Sequence, residues 1–259
     1  MYTKVLIAGA NSFIASQCLP YLNLNDFEIF LISRDTIQTN YQFQGSQLKS
    51  LQIKSFEDED VLKKLVNFLQ LNSDDRLLII NFVGSFGSIE SLDDLDLDKF
   101  GSEVHENLVP FMVLSKLIAK CREGLFLSFA GAGVGGDNLE VASFSYLASK
   151  ASIVVLVEGL DNLLRGNGIR VGAVSPGAFP SRMQKAVADS QNAANVSSER
   201  RDKASLTLKS IPDPLKLISM LNFLIENPEA AGGRVWSANF DPLISANLKP
   251  NFGKIRRIF

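Results

Sequence analysis

The sequence predicts an α/β fold in which helices cover both faces of a doubly wound parallel sheet. Three observations lead to this prediction. Short apolar, β-branched runs recur along the chain, helical patterns lie between them, and no linker or repeat divides the 259 residues. Strands that alternate with helices need crossover connections, which favour parallel sheets. A chain of this length can bury one full-sized core, so we expect a single domain over residues 1–259.

The expected strands are the apolar runs bounded by polar or glycine-containing turns. They cover residues 4–8, 27–32, 77–82, 125–129 and 169–174. The expected helices are the segments in which apolar residues return at intervals of three and four. They cover residues 60–71, 104–120 and 146–164, so each long helix lies between two strands.

Composition and charge favour a small-molecule ligand. The formal net charge of -2 provides no basic field for nucleic acid. Cys18 and Cys121 are far apart and His105 is the sole histidine, so we expect no metal site and no disulfide framework. The amino terminus lacks a signal-peptide pattern and no apolar run has the length to cross a bilayer. We therefore expect a cytoplasmic protein with no nucleic-acid or membrane partner.

The first strand runs into a turn of sequence GANSFIA at residues 9–15. A tight turn that opens a helix presents free N–H groups and a positive dipole end, which can hold a pyrophosphate. The glycine fingerprint is incomplete, because Ser12 or Phe13 occupies its middle position and Ala15 its last. A bulky Phe13 has to point away from the phosphates, and an ordinary strand-to-helix turn is the alternative. The candidate cofactor-binding residues here are Gly9, Asn11, Ser12, Phe13 and Ile14.

The second strand ends at Ser33 and Arg34, without the acidic residue that commonly binds the adenosine ribose. The planar guanidinium of Arg34 can pair with a 2'-phosphate, and Ser33 can donate a further hydrogen bond. This pair predicts that NADP(H) is favoured over NAD(H), with a solvated surface arginine as the alternative. Lys54, beyond a third strand, could supply a second positive charge.

Tyr146 and Lys150 open a long helical pattern and, four residues apart, lie on one helix face. A nearby cation favours phenolate, so we expect Lys150 to lower the pKa of Tyr146 from its usual value of about 10 toward neutral pH. Tyr146 could then donate a proton to a carbonyl oxygen, or remove it in the reverse direction. A YxxxK spacing alone is common by accident, so the neighbouring motifs matter.

Those motifs occur in a fixed order. Residues 81–84, NFVG, end the strand predicted at 77–82, and Asn107 lies in the helix predicted at 104–120. The segment SPG at 175–177 follows the strand predicted at 169–174. Together with the YxxxK pair, these segments resemble the classical short-chain dehydrogenase/reductase family. Residues 81–84 resemble its NNAG motif, Asn107 the asparagine in its following helix, and residues 175–177 its PG motif.

This resemblance implies a Rossmann-type fold with a nicotinamide cofactor. It implies that Lys150 also holds the nicotinamide ribose and that Asn107 supports a water-linked proton path. It further implies that Ser181 stands in for the Thr or Ser that contacts the nicotinamide carboxamide. The remaining cofactor-binding residues it implies are Asn81, Phe82, Gly84, Pro176 and Gly177.

Ser128 is the best match to the remaining catalytic hydroxyl of the family, because it lies near the end of a strand and could hydrogen-bond the substrate oxygen. The stretch from Ser128 to Tyr146 is longer than is common in the family, and Phe129 fills a place where a second serine often occurs. Ser143 is an alternative candidate, and Ser128 could also be a plain strand-end serine.

Two segments bear on the substrate. Residues 181–210 are polar and follow a strand end where ligands bind, so we interpret them as a mobile helical lid, with a surface insertion as the alternative. Residues 177–183 and 232–242 resemble segments of short-chain enzymes associated with bacterial polysaccharide synthesis. This second resemblance suggests a sugar or nucleotide-sugar substrate, although packing of the sheet and of subunits explains it equally well.

The expected function is transfer of hydride between NADPH and a small carbonyl or alcohol, with Asn107, Ser128, Tyr146 and Lys150 as catalytic residues. A catalytically impaired NADP-binding sensor or scaffold is the main alternative, and an epimerase or dehydratase with tightly held NAD is a lesser one. The helical patterns at 104–120 and 146–164 look like the helices that pair across dimers in the family, so we expect a homodimer or homotetramer.

Overall fold

The computed structural model describes residues 2–37, 41, 43, 45–131, 142–191, 196–210, 213–239 and 241. Seven strands within these residues pair in parallel, in the order β3-β2-β1-β4-β5-β6-β7 once they are numbered along the chain. The strands are β1 (Lys4–Ala8), β2 (Glu28–Ser33), β3 (Gln47–Gln52), β4 (Arg76–Asn81), β5 (Glu123–Phe129), β6 (Ile169–Ser175) and β7 (Val235–Ser237). This order is that of a doubly wound Rossmann sheet, so the predicted fold class is confirmed.

Helices cover both faces of the sheet. They are α1 (Phe13–Cys18), α2 (Val61–Leu69), α3 (Leu97–Ile118), α4 (Phe144–Leu164), α5 (Arg182–Asp189), α6 (Ser198–Lys209), α7 (Leu215–Glu226) and α8 (Pro228–Ala231). Successive strand residues point to opposite faces. Val5 and Ile7 therefore belong to the apolar core that contains residues of α1 and α7, while Leu6 and Ala8 belong to the core on the side of α2, α3 and α4.

The five predicted apolar strands correspond to β1, β2, β4, β5 and β6. The edge strand β3 has the sequence QLKSLQ and no fully buried residue, so it lacks the continuous apolar run of the others. The opposite edge strand, β7, lies within residues 232–242, one of the two segments on which the prediction of a sugar substrate rests.

Helix α3 begins at Leu97, seven residues before the helix predicted at 104–120. The carboxylate of Asp96 accepts hydrogen bonds from the amides of Asp98 and Lys99, at 3.0 and 3.1 Å, and so caps the helix. Because its first turns carry exposed side chains, apolar spacing does not mark this part of the helix.

The segment predicted as a lid, 181–210, contains α5 and α6 in its described part. These two helices pack around Val187, Val196 and Ala204, and Phe86 and Ile89 from the segment after β4 pack against the same cluster. The segment is thus attached to the carboxyl edge of the sheet, and its mobility stays a prediction.

No helix in the described part of the chain is both long and apolar enough to cross a membrane. Over the same residues, no group of three or more His, Cys, Asp or Glu side chains is placed to hold a metal ion. Cys18 and Cys121 are buried free thiols, and burial raises the pKa of each to about 12.

Candidate active site

The site lies where β1 and β4 end, at the point where the strand order reverses. Gly9 follows β1 in a left-handed conformation, with φ of 75°. A β-carbon at this position would lie 2.8 Å from the amide nitrogen of Val83, which follows β4. Both the backbone conformation and the lack of space explain why glycine occupies this position.

The turn after Gly9 leads directly into α1. The Ser12 hydroxyl caps the helix by accepting a hydrogen bond from the Ala15 amide at 3.1 Å. Within the described residues, the amides of Phe13 and Ile14 have no acceptor, so they are available to an anion. The Phe13 side chain is 40% exposed. Asn11 instead donates its side-chain amide to the carbonyl oxygens of Asp35 and Thr36, at 3.3 and 3.0 Å, which ties the turn to the segment after β2.

Arg34 follows Ser33, the last residue of β2, and is exposed beside this turn. Its carbonyl oxygen accepts a hydrogen bond of 2.7 Å from Gln52, while no described carboxylate forms an ion pair with its guanidinium. The backbone is thus anchored and the charge is available to a ligand. Lys54 is also exposed, and no described contact links it to Arg34.

Tyr146 and Lys150 lie in the first turns of α4, against the end of β5. The Lys150 ammonium is 5.7 Å from the centre of the Tyr146 ring and donates a hydrogen bond of 3.1 Å to the Phe129 carbonyl oxygen. A β-carbon at Gly131 would lie 2.8 Å from the Tyr146 hydroxyl oxygen. The phenol therefore lies at the carboxyl end of β5. Ser149 donates a hydrogen bond to the backbone carbonyl oxygen of Tyr146, and no described residue hydrogen-bonds the phenol hydroxyl.

Burial dominates the ionisation of both groups. It raises the pKa of Tyr146 to about 12 and lowers the pKa of Lys150 to about 8. The expectation that Lys150 lowers the pKa of Tyr146 is therefore wrong for this structure, because burial disfavours the charged phenolate. The Tyr146 phenol is therefore protonated at neutral pH.

Asn107 and Lys150 converge on Gly84, the last residue of the NFVG segment. A β-carbon at Gly84 would lie 3.3 Å from Lys150 Nζ and 3.5 Å from Asn107 Oδ1. Asn107 is buried, accepts a hydrogen bond from the Ser85 amide at 2.9 Å and donates to the carbonyl oxygens of Ser85 and Glu103, each at 3.1 Å. The side chain of Asn107 thus holds the segment that follows β4.

Ser128 lies inside β5 and is buried. Its hydroxyl oxygen accepts a hydrogen bond of 3.4 Å from Asn81, whose own side-chain oxygen accepts one from the Val83 amide at 3.1 Å. Phe82 and Phe129 stack beside this pair, with ring centres 4.8 Å apart. Within the described residues no hydrogen bond joins Ser128 to Tyr146.

Ser143, the alternative catalytic serine, is buried just before α4. Its hydroxyl donates a hydrogen bond of 3.1 Å to the Phe86 carbonyl oxygen, so its proton is already committed to the backbone. Residues 132–141, between the two serines, lie outside the described residues.

Pro176, Gly177 and Ser181 follow β6. A β-carbon at Gly177 would lie 2.6 Å from the side-chain nitrogen of Asn239, which follows β7. Ser181 caps α5 by accepting a hydrogen bond from the Gln184 amide at 3.4 Å. Ser181 therefore stabilises the start of α5, the first helix of the predicted lid.

Two residues near Tyr146 are absent from the sequence-based site. The Phe86 ring packs edge-on against the Tyr146 ring at 5.3 Å. Glu103 accepts a hydrogen bond of 2.5 Å from Ser145, the residue before Tyr146. The only sequence signal for Glu103 is its position four residues before Asn107, which places both on one face of a helix.

Comparison with known proteins identifies the family. A family model described as short chain dehydrogenase matches residues 3–192. The chain therefore belongs to the short-chain dehydrogenase family, a family of oxidoreductases with an NAD(P)-binding Rossmann fold. It is 27% identical over 138 residues to the 3-oxoacyl-[acyl-carrier-protein] reductase FabG of Vibrio harveyi. That match covers 52% of this chain and 52% of the reductase, so the chain spans about half the length of this curated relative.

Several solved structures share the fold over nearly the whole chain. A short-chain dehydrogenase/reductase from Saccharomyces cerevisiae has a TM-score of 0.76 at 18% identity, covering 94% of this chain and 98% of that one. The Pseudomonas aeruginosa RhlG/NADP complex has a TM-score of 0.69 at 18% identity, with coverages of 92% and 95%. A Leptospira borgpetersenii short chain dehydrogenase with bound NAD+ has a TM-score of 0.64 at 19% identity, with coverages of 92% and 91%. At these identities the likeness shows the fold alone.

Proposed function

We propose that this protein is an NADPH-dependent oxidoreductase that reduces a small carbonyl compound, or oxidises the corresponding alcohol, with Tyr146 as the acid/base. The observation that carries the proposal is the Tyr146 hydroxyl, which no described residue hydrogen-bonds and which lies at the end of β5 with the Lys150 ammonium beside its ring. A phenol held in this way can hydrogen-bond a substrate oxygen.

The residues along the sheet edge fit a nicotinamide dinucleotide. The unused amides of Phe13 and Ile14 suit a pyrophosphate, and the exposed guanidinium of Arg34 suits a 2'-phosphate. Lys150 and Gly84, together at the end of β4, would lie at the nicotinamide ribose. When bound, the reduced cofactor supplies the hydride that adds to the carbonyl carbon. Solved relatives include complexes with NAD+ and with NADP, and Arg34 is the feature of this chain that favours NADP(H).

Tyr146 supplies the proton. Because its pKa is about 12, the hydroxyl is protonated at neutral pH and can transfer its proton to the carbonyl oxygen as the C–O double bond is reduced. The phenolate that results lies beside Lys150, whose pKa of about 8 leaves it mostly charged at pH 7. The ammonium then stabilises the phenolate, and Asn107 holds the backbone at Ser85 next to Lys150.

The substrate is proposed only as a class, namely small carbonyl compounds and alcohols. Ser128 and Ser143 are both buried near the site, and Ser128 is our preferred partner for the substrate oxygen because the Ser143 proton is used elsewhere. A sugar-derived substrate stays a prediction that rests on the segments at 177–183 and 232–242. Among the described residues, no feature of the site favours a sensor or scaffold without catalysis.

Turnover by Tyr146→Phe tests the proposal. Purified protein should oxidise NADPH with a panel of aldehydes, ketones and keto-sugars, followed at 340 nm. Loss of the phenolic proton should lower kcat by about 100-fold or more, in line with the usual contribution of a general acid. The Kd for NADPH should stay within about threefold, because the substitution removes no charge from the cofactor side.

Tyr21→Phe is the matched control, because Tyr21 is exposed in the short helix after α1, where its carbonyl oxygen accepts a hydrogen bond from Asn222 of α7. It should turn over like the wild type. Full activity of Tyr146→Phe would refute the proposed role of Tyr146. NADPH binding by a wild type that reduces no member of the panel would instead favour the sensor or scaffold.

A further inference from the structure

We infer that Glu103 is a positioning residue that holds Tyr146 and the segment after β4 in their working arrangement. The inference rests on the proposed function, because it concerns the same proton donor. Glu103 lies on α3, one turn before Asn107, and is only partly exposed. It contacts neither the Tyr146 hydroxyl nor the residues assigned to the cofactor in any described hydrogen bond, so it would act through its neighbours.

One carboxylate oxygen of Glu103 accepts three hydrogen bonds from two separate segments. The amide and the hydroxyl of Ser88 each donate to Oε2 at 3.1 Å. The hydroxyl of Ser145 donates to the same oxygen at 2.5 Å. Hydrogen bonds to an ionised carboxylate are shorter and stronger than those between neutral groups. Glu103 thus connects the segment after β4 to the residue directly before Tyr146.

The segment after β4 is held at both ends by the same face of α3. Asn107 binds the amide and carbonyl of Ser85, at 2.9 and 3.1 Å, while Glu103 binds Ser88. Between these two anchors, Phe86 packs its ring edge-on against Tyr146. Glu103 therefore helps to determine where the Tyr146 ring lies from two sides, through Phe86 and through Ser145.

Gly87 shows how closely the two segments approach around the carboxylate. A β-carbon there would lie 2.5 Å from Glu103 Oε2 and 2.6 Å from the Ser145 hydroxyl oxygen, and the residue has φ of 73°. A side chain at this position would separate the three groups. The glycine at position 87 of the segment GSFGS, residues 84–88, thus leaves the space that the Glu103 carboxylate occupies.

Without the carboxylate, the Ser145 hydroxyl and both donors of Ser88 lose their acceptor. The start of α4 and the segment after β4 should then move independently, and the Tyr146 hydroxyl should spend less time where it can protonate a substrate. Because reactions are sensitive to misplacement of the reacting groups, kcat should fall while cofactor binding is retained.

The test compares Glu103→Ala, Glu103→Gln and Glu106→Ala. Glu106 is the matched control, since it lies on the same helix but is exposed and has no described partner. Glu103→Ala should lower kcat by about 10- to 30-fold with KM for NADPH within twofold. Glu103→Gln retains a side-chain carbonyl as acceptor and should recover most of this loss, while Glu106→Ala should behave as the wild type.

Amide hydrogen exchange provides a readout that does not require turnover. Peptides that cover residues 85–90 and 143–147 should exchange at least about fivefold faster in Glu103→Ala and unchanged in Glu106→Ala. Unchanged exchange, a kcat within twofold of the wild type, or an equal loss in Glu106→Ala would each overturn the inference. If the wild type turns over no carbonyl compound, the proposed function fails, and the exchange rates alone decide whether Glu103 holds these segments.

Discussion

Arg34 is the residue on which the choice between NADPH and NADH should depend. Its guanidinium is exposed at the end of β2 and no described carboxylate pairs with it, so it is available to a 2'-phosphate. Arg34→Asp replaces an attraction to the 2'-phosphate of NADPH by a repulsion, and NADH lacks this phosphate. We expect NADPH to bind about 10- to 100-fold more weakly, which corresponds to a lost charge-assisted contact, while NADH changes little.

Titration of both cofactors into wild type and Arg34→Asp at one ionic strength measures this effect. Lys54→Ala is the matched control, because Lys54 is the other exposed cation expected near this end of the sheet. A larger effect of Lys54→Ala than of Arg34→Asp would show that the 2'-phosphate binds to Lys54 rather than to Arg34. An unchanged ratio of affinities in Arg34→Asp would leave Arg34 as a solvated surface residue.

The buried ammonium of Lys150 should make stability depend on pH. Burial lowers its pKa to about 8 in the folded protein, against the usual value of 10.5, so the unfolded chain binds more protons between these values. Stability from this group is therefore lost as pH falls from 10.5 toward 8 and regained as pH rises. Tyr146 acts in the opposite direction but only above pH 10, because its pKa rises from 10 to about 12.

Urea unfolding of wild type and Lys150→Met at pH 7.5 and 9.5 checks this dependence. Over this interval the free energy of unfolding of the wild type, relative to the variant, should rise by about 2 kcal/mol. Cys18 and Cys121 are present in both proteins, so their contribution cancels in the difference between wild type and variant. The remaining dependence on pH belongs to Lys150. A pH-independent difference would show that the ammonium is not desolvated.

At the scale of elements, α4 and β6 are joined by a buried ion pair near the start of β6, at the edge of the sheet opposite the candidate site. The Asp161 carboxylate, fully buried in α4, accepts hydrogen bonds from Arg170 Nε at 2.9 Å and Nη2 at 3.1 Å. It also accepts one from the Val171 amide at 3.0 Å. This junction sets the position of the helix that carries Tyr146 and Lys150.

Asp161→Ala should destabilise the protein by about 3 kcal/mol, because the Val171 amide loses its acceptor and the partly buried guanidinium of Arg170 keeps only the exposed carboxylate of Glu229 as a described partner. The free energy of unfolding in urea measures the loss. Asp98→Ala, at an exposed position of α3, serves as the control and should change stability by less than about 1 kcal/mol. A loss for Asp161→Ala as small as that of the control would show that the pair contributes no net stability.

At the scale of the molecule, α3 and α4 carry apolar side chains that no described contact buries. Val155 is 64% exposed and Leu163 is 75% exposed, both on α4, and Met112 of α3 is exposed as well. We expect these helices to pair with a second copy of the chain, so light scattering should give at least twice the mass of one chain. Val155→Glu should shift the protein toward monomer, because it places a charge in the predicted interface.

Leu206→Glu is the control for this experiment, since Leu206 is 68% exposed on α6, outside the predicted interface. It should leave the mass unchanged. A wild type that stays monomeric at all concentrations would refute the oligomer, and dissociation by Leu206→Glu rather than Val155→Glu would place the interface on α6.

The sequence by itself determined the order of the five buried strands and of the helices between them, the family motifs and the edge of the sheet at which these motifs meet. These features depend on local patterns: buried parallel strands need continuous apolar runs, and each motif directly follows such a run. Gly9 could be selected from the turn after the first strand, and Tyr146 and Lys150 from their helix spacing, whereas Asn107 was selected by its resemblance to the family motif. The polar edge strand β3 and the first turns of α3 could not, because neither buries a continuous apolar surface.

The tertiary structure alone decided the environment of the chosen residues. Desolvation, which raises the pKa of Tyr146, depends on atoms from β5 and the segment after β4 rather than on the neighbours of Tyr146 in sequence. Glu103 meets Ser145 across 42 residues of chain, and no spacing rule connects positions so far apart. Burial and long-range hydrogen bonds arise only when separate segments pack together. This is why Tyr146 could be proposed as the proton donor from the sequence, whereas its ionisation and its hydrogen-bonded surroundings could not be predicted.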